Sequence, residues 1–332
     1  MENTKKLPAV LGIGNALVDV INSLENDAAL EKFGLPRGSM TLVDDELSKT
    51  IYESTKFDKR EITTGGSAAN TIHALANLGG NCGYLGKIGK DKLGDIFEKE
   101  FQRKSIKAHL FYSEKDTGRV MSLVSPDSER TMATYLGAAA DLKLDELEAE
   151  IFREYGYLYI EGYLVQDHKL IETAIDLARK EGLKIAIDLS SFNVVEANLD
   201  FLKKLISEKV DIVFANEEEA LSFTGKQPEE ALGVIASMCE IAVVKIGKEG
   251  SYIQKGNEKV KVGTIKATAV DTTGAGDNYA AGFLFGLTKD FSLKKSGEIA
   301  ALISGKVVEV MGAKLPEFVW PGVLLEIENM KD

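Results

Sequence analysis

Cysteine and histidine are scarce in this chain, and that scarcity removes whole classes of chemistry. Its 332 residues include two cysteines, Cys82 and Cys239, far apart and without metal-like spacing. The three histidines, His73, His109 and His168, are equally scattered, so a zinc site has little support. Basic residues are outnumbered, 40 Lys and Arg against 52 Asp and Glu, and a formal charge of -12 disfavours a nucleic-acid footprint or a polybasic membrane patch. No apolar run approaches the roughly 18 residues that a membrane span needs. The opening MENTKKLPAVLGIGNALVDV briefly resembles a signal peptide, but its apolar stretch is short and interrupted by Asn15 and Asp19. It reads as a first strand in a cytoplasmic protein. Apolar residues at 44% and charged residues at 28% match ordinary globular usage and leave ample core, which argues against wholesale disorder.

From about residue 144 onward, helical patterns alternate with short runs rich in Ile, Val and Tyr. YLYI at 157 to 160, KIAI at 184 to 187, DIVFA at 211 to 215 and IAVVKI at 241 to 246 predict βα units and a mostly parallel sheet. These runs stop at Glu161, Asp188, Asn216 and Gly247. Ligands of open α/β sheets bind beyond the carboxyl ends of the strands, so these positions are candidates for one crevice, although each is also an ordinary loop start. Between about 106 and 136 the pattern changes to IKAHLFYS, GRVMSLVS and ERTMATYL, with Pro126-Asp127-Ser128 among the turn residues. These read as antiparallel strands of a small lid that segments from 15 to 45 also join. The expected architecture is α/β, one domain over 1–332, with a central sheet flanked by helices and a small β-rich lid.

Asp271-Thr272-Thr273-Gly274-Ala275-Gly276-Asp277 runs directly into an apolar, helix-length stretch. Glycines allow close backbone approach, and first-turn amides lack intrahelical partners, so Gly274, Ala275 and Gly276 form a candidate anion site with Asp277 beside it. A carboxylate there suits removal of a proton from a hydroxyl that attacks a phosphoryl group, and at a pKa of about 3.9 it is already ionised and needs no tuning. The plainer reading is a turn and a helix cap. Gly65-Gly66-Ser67-Ala68-Ala69-Asn70 is a second glycine turn into a helix, and Asn70 offers a donor and an acceptor to a polyol. Gly12-Ile13-Gly14-Asn15 suggests a nicotinamide-dinucleotide fold, but the third glycine is missing and the segment continues as VDVI, which is strand-like. Asp19 in that strand suits substrate hydroxyls or simply a lid surface. Asn216 and Glu219 open a helix, where acids favour the dipole or hold magnesium waters and phosphate. Lys245, Gly247 and Gly250 either cradle phosphates or form a hairpin turn. No Gly-Lys pair is followed by Ser or Thr, so ATP binding would proceed without a P-loop.

GGSAANTIHALANLGGNCGYLGKIGKDKLGD at 65 to 95 and DTTGAGDNYAAGFL at 271 to 284 together resemble the ribokinase family, the PfkB-type carbohydrate kinases. The resemblance spans nearly the whole chain, ending at Gly312-Ala313 and Pro316. It implies a ribokinase-like fold and phosphoryl transfer from ATP with Mg2+, and potassium near Asp271 and the 306 to 312 loop. Asp277 would be the base, with Gly274, Ala275 and Gly276 as the anion hole. Asn15, Asp19, Gly65, Gly66 and Asn70 would hold the acceptor. Thr272, Gly274, Gly276, Asn216, Glu219, Lys245, Gly247 and Gly250 would serve the nucleotide, with Glu219 reaching the metal through water. GNALVD at 14 to 19 and RTMATYLGAAA at 130 to 140 resemble adenosine kinases most, with Met132, Thr134 and Tyr135 near the base and Phe192 stacking on it. Ala16 and Asp188 depart from that pattern. The partner implied is a small nucleoside or sugar, bound by a monomer or homodimer. Fructokinase and ribokinase types remain alternatives, as does a non-catalytic sensor on the same fold.

Overall fold

The computed structural model describes residues 9–55, 59–127 and 129–331. Ser128 of the expected turn lies outside them. Two sheets organise the chain. The larger has nine strands in the order β14-β13-β12-β11-β10-β9-β1-β5-β6. From its centre to one edge these are β1 (Ala9–Ile13), β5 (Asn81–Gly89) and β6 (Lys107–Ser113). On the other side lie β9 (Tyr157–Glu161), β10 (Lys184–Asp188), β11 (Ile212–Ala215) and β12 (Ile241–Lys245), followed by the hairpin β13 (Ser251–Lys255) and β14 (Glu258–Val262). The strands from β12 through β6 are parallel, and only the hairpin is antiparallel. The four runs read as parallel strands are therefore β9 to β12.

The second sheet has five strands, in the order β3-β8-β7-β2-β4. They are β2 (Leu17–Ser23), β3 (Met40–Leu42), β4 (Lys59–Gly65), β7 (Gly118–Val124) and β8 (Arg130–Tyr135). One expectation is corrected here. IKAHLFYS does not enter this sheet and is not antiparallel: as β6 it pairs in parallel with β5 at the edge of the large sheet. The cause is the helix Lys92–Arg103, which turns β5 and β6 into a crossover unit. Its place in the small sheet is taken by β4, which pairs with β2.

Apolar residues cover both faces of the large sheet, as buried parallel strands require. Val10 packs into one core cluster, and Leu11 and Ile13 into another on the opposite face. The second sheet buries one face only. Val20, Met121, Leu123 and Ala133 pack with Leu30 and Ile51 of the helices Ala28–Phe33 and Asp45–Ser54. The alternate residues, including Asp19, Val120, Ser122, Met132 and Thr134, face a cleft.

The helix Ala275–Thr288 is apolar nearly all round and is buried accordingly. It lies against the helix Leu293–Val307 at glycine-close range. A Cβ on Gly282 would come 2.7 Å from Ala300 Cα, and one on Gly286 would come 2.4 Å from Ser296 Oγ. No helix among the described residues is long and apolar enough to cross a membrane. Gly286→Val should separate the two helices and destabilise the fold by about 1–3 kcal/mol. The urea midpoint followed by circular dichroism measures this, and an unchanged midpoint would contradict the close packing.

Candidate active site

The N-terminus of the helix Ala275–Thr288 is built by Gly274, whose φ of 74° belongs to the left-handed region. A side chain there would also be blocked, since a Cβ would lie 2.5 Å from Ala313 Cβ. Asn278 secures the turn by donating from Nδ2 to the carbonyls of Gly274 at 2.9 Å and Ala313 at 3.0 Å. The Ala275 amide turns back to the Thr272 carbonyl at 3.2 Å. Among the described residues no backbone partner engages the amides of Gly274 and Gly276, so these two are the better anion donors of the three expected.

Asp277 sits in the first turn of this helix with both carboxylate oxygens held from the other end of the chain. Ser67 Oγ donates to Oδ1 at 2.7 Å, and Asn70 Nδ2 donates to Oδ2 at 3.0 Å. Burial pushes the Asp277 carboxyl up to about 6, against the pull of these two donors, and nearby Asp188 adds to the rise. Its surroundings thus tune the acid toward neutrality, contrary to the expectation of an ordinary value. A stronger base results, still ionised in its larger part at pH 7.

Ser67 and Asn70 belong to the helix Ser67–Asn77, which follows Gly66 with a φ of 94°. A Cβ on Gly66 would lie 2.1 Å from the Asn15 carbonyl oxygen, so only glycine permits this approach. Glu161 ties the same corner together from the end of β9. Its Oε1 accepts from the Asn15 amide at 2.8 Å and from Asn15 Nδ2 at 2.6 Å, while Oε2 accepts from the Ala68 amide at 2.9 Å. Burial raises the Glu161 carboxyl to about 7 despite these donors. Asp19 faces the cleft from β2, and burial raises its pKa against the opposing charges of Lys314 and Arg130. Asn70 Oδ1 is buried with no hydrogen-bond partner, an acceptor left open beside Asp277.

A charged cluster lies at the strand ends beside the turn that carries Asp277. Lys245 Nζ pairs with Asp188 Oδ2 at 2.9 Å and lies 3.1 Å from where a Gly276 Cβ would be. Burial disfavours the Lys245 charge, but Asp188 and Glu219 outweigh it and raise its pKa. Asn216 and Glu219 form a reciprocal capping box, with Asn216 donating its amide and Nδ2 to the two Glu219 oxygens at 2.8 Å each. Burial and the neighbouring Asp188 raise the Glu219 carboxyl. The local helix role foreseen for this pair is therefore present, on residues that also line the cleft. Among the described residues no group of three or more His, Cys, Asp or Glu stands ready to hold a metal ion.

Arg130, at the start of β8, bridges the second sheet to the loop of Asp271 and Thr273. Its NH2 group pairs with Asp271 Oδ2 at 2.7 Å, and NH1 approaches Thr273 Oγ1 at 3.3 Å. Asp271 also accepts from Thr273 and from the Gly312 amide, which hold it below the usual carboxylate value although burial opposes them.

These elements enclose a cleft of about 1440 Å³ between the two sheets. Of the residues expected at the site, Asn15, Asp19, Gly66, Asn70, Met132, Thr134, Asn216, Glu219, Lys245, Gly247, Gly250, Thr272, Gly274, Ala275, Gly276 and Asp277 line it. Three do not. Gly65 stands behind Asp19, where its missing Cβ leaves room for that carboxylate. Tyr135 follows Thr134 on β8 and so points to the other face, with its ring centroid 5.0 Å from Arg119 Cζ. Phe192 begins the helix Phe192–Ala197 and is 39% exposed, while its neighbours Ser191, Asn193 and Val194 line the cleft. Sequence reasoning missed Ser67, although it lies within the second glycine turn, and Arg130. It also missed the far wall, where Thr264, Ile265 and Ala267 face Ser304 and Gly305.

Comparison with known proteins places this geometry. The family model described as pfkB family carbohydrate kinase matches residues 38–318. A crystal structure of adenosine kinase from Sinorhizobium meliloti superposes with a TM-score of 0.83 at 35% identity, covering 92% of this chain and 95% of that one. A probable sugar kinase from Rhizobium etli has the same score and identity, covering 96% and 99%. Adenosine kinase 2 of Arabidopsis thaliana is 25% identical over 333 residues, 93% of this chain and 96% of that protein.

Asp277→Asn should lower turnover roughly a hundred- to ten-thousand-fold while substrate affinity stays broadly intact. In the wild type the base must be ionised, so kcat/KM should fall as the pH drops through about 6. That limb should vanish in the variant. Near-normal turnover, or an acid limb at the ordinary carboxylate value, would contradict the assignment.

Proposed function

The chain belongs to the PfkB family of carbohydrate kinases, a phosphotransferase with an alcohol group as acceptor and ATP as donor, and on that premise we propose that its acceptor is adenosine, converted to AMP. The observation that carries this choice is the wall of the cleft contributed by the second sheet. Leu17, Val120, Met132 and Leu136 line it with Met40 and Leu42, which are 46% and 55% exposed. Beside the hydroxyl-binding corner of Asn15, Asp19 and Asn70 stands an apolar surface suited to a purine. A free sugar would leave that apolar surface uncovered.

In this reading Asn15, Asp19 and Asn70 hold the ribose, with the open Asn70 Oδ1 accepting one of its hydroxyls. Met132 and Thr134 face the base. Asp277 Oδ2 and Oδ1 stand ready to accept the 5'-hydroxyl proton while Ser67 and Asn70 keep the carboxylate aimed. The amides of Gly274 and Gly276, the helix dipole and the Lys245 ammonium stabilise negative charge gathering on the transferred group. Most of the rate comes from this positioning and charge stabilisation, as phosphoryl transfer requires. The nucleotide would extend from this point past Thr272, Gly247 and Gly250 toward Ile265 and Gly305. Mg2+ would arrive with ATP, its waters facing Glu219, and would supply charge neutralisation there.

The sugar-kinase alternative and the non-catalytic sensor are separated from this one by ADP release across adenosine, inosine, ribose and fructose. Adenosine should give a kcat/KM at least a hundredfold above either sugar. Preference for a sugar would overturn the choice of acceptor, and tight adenosine binding without ADP release would leave a sensor.

A further inference from the structure

Residues 312 to 314 touch three parts of the site in succession. The Gly312 amide donates to Asp271 Oδ2 at 2.7 Å, holding the 271–277 loop. Ala313 packs behind Gly274 and accepts from Asn278, holding the helix that carries Asp277. Lys314 then crosses to the second sheet, where Nζ donates to Thr63 Oγ1 at 3.3 Å and to both the carbonyl and Oγ1 of Thr64. All three acceptors are on β4, the outer strand beside β2.

Thr63 is the register partner of Asp19 across β2 and β4. Paired residues of antiparallel strands present their side chains on the same face, so Lys314 Nζ meets the Asp19 face at Thr63 Oγ1 and the opposite face at Thr64 Oγ1, clasping the outer strand beside Asp19. Gly65, two residues further along β4, is on the Asp19 face too, with its missing Cβ filled by the Asp19 carboxylate. The two charges also act on one another. Burial pushes the Lys314 ammonium down to about 8, and Asp19 is the largest influence opposing that fall. Lys314 is in turn the largest influence opposing the rise that burial imposes on Asp19, with Arg130 next.

We propose that Lys314 is a positioning residue for the acceptor: by clasping Thr63 and Thr64 it fixes β4 beside Asp19 and so holds Asp19 in place for substrate hydroxyls. The inference rests on the kinase reading above. A lysine on an outer strand also covers free backbone groups, and that role alone would affect stability without regard to substrate. The two differ in which kinetic constant they move. Asp19 serves ground-state binding of the acceptor and takes no part in proton removal, so its displacement raises one KM.

The test measures kcat and both KM values for wild type, Lys314→Met and Lys314→Arg, with the acceptor that wild type turns over fastest. Lys314→Met should raise the acceptor KM at least tenfold, with kcat and the ATP KM within threefold of wild type. Lys314→Arg should bring the acceptor KM back to within threefold. Thermal midpoints recorded alongside separate folding loss from binding loss, since a folded fraction that merely shrinks lowers kcat and leaves both KM values in place. Normal wild-type turnover with an unchanged acceptor KM in Lys314→Met overturns this inference alone. No ADP release from wild type with any acceptor overturns the kinase reading and this inference with it.

Discussion

The Asp277 carboxylate, gripped by Ser67 and Asn70 across 210 and 207 residues of sequence, is the contact on which the rest of the site depends. It joins the first turns of two helices, one opened by Gly66 and the other by Gly274, each in a conformation that side chains rarely adopt. Burial alone would drive this acid toward its neutral form. The two donors hold it near 6, close enough to neutrality to make a competent base and low enough to remain ionised. In the proposed reading Asn70 also holds the acceptor, so the group that would remove a proton is aimed in part by a group that would hold the hydroxyl.

Around this contact the fold separates two chemical tasks. The carboxyl ends of β9, β10 and β12 deliver Glu161, Asp188 and Lys245 to one end of the cleft, as parallel sheets do. The second sheet delivers Asp19 and an apolar wall to the other. Because its strands alternate, the sheet packs Val20, Met121 and Leu123 against its own helices while offering the intervening residues to a ligand. Arg130 and Lys314 tie this sheet to the 271–277 loop and its neighbourhood from two directions.

Much of this was legible in the sequence because local chemistry demanded it. A glycine turn entering a helix beside an acid has few explanations, and both such turns form and converge. The runs at β9 to β12 were legible because buried parallel strands are short and rich in branched residues. Family resemblance supplied the substrate roles that local chemistry left open. What escaped depended on tertiary neighbours. IKAHLFYS has the composition of any strand, and only the preceding helix assigns it to the large sheet. That Tyr135 and Phe192 do not line the cleft could not be read from a motif, because which way a residue faces follows from register and helix phase. Lys314 carries no signal at all, since a lysine becomes a site residue only through the strand it reaches. The tuning of Asp277 likewise needs burial that the sequence around it does not reveal.

A double-mutant cycle on kcat between Ser67→Ala and Asp277→Asn tests the central contact most directly. A hydrogen bond to a charged group contributes about 1.5–3 kcal/mol, so Ser67→Ala alone should slow turnover roughly ten- to a hundredfold. In the Asp277→Asn background the same change should cost less than about twofold, because the carboxylate through which Ser67 acts is gone. Equal losses in both backgrounds would show that Ser67 and Asp277 act independently and would contradict the account.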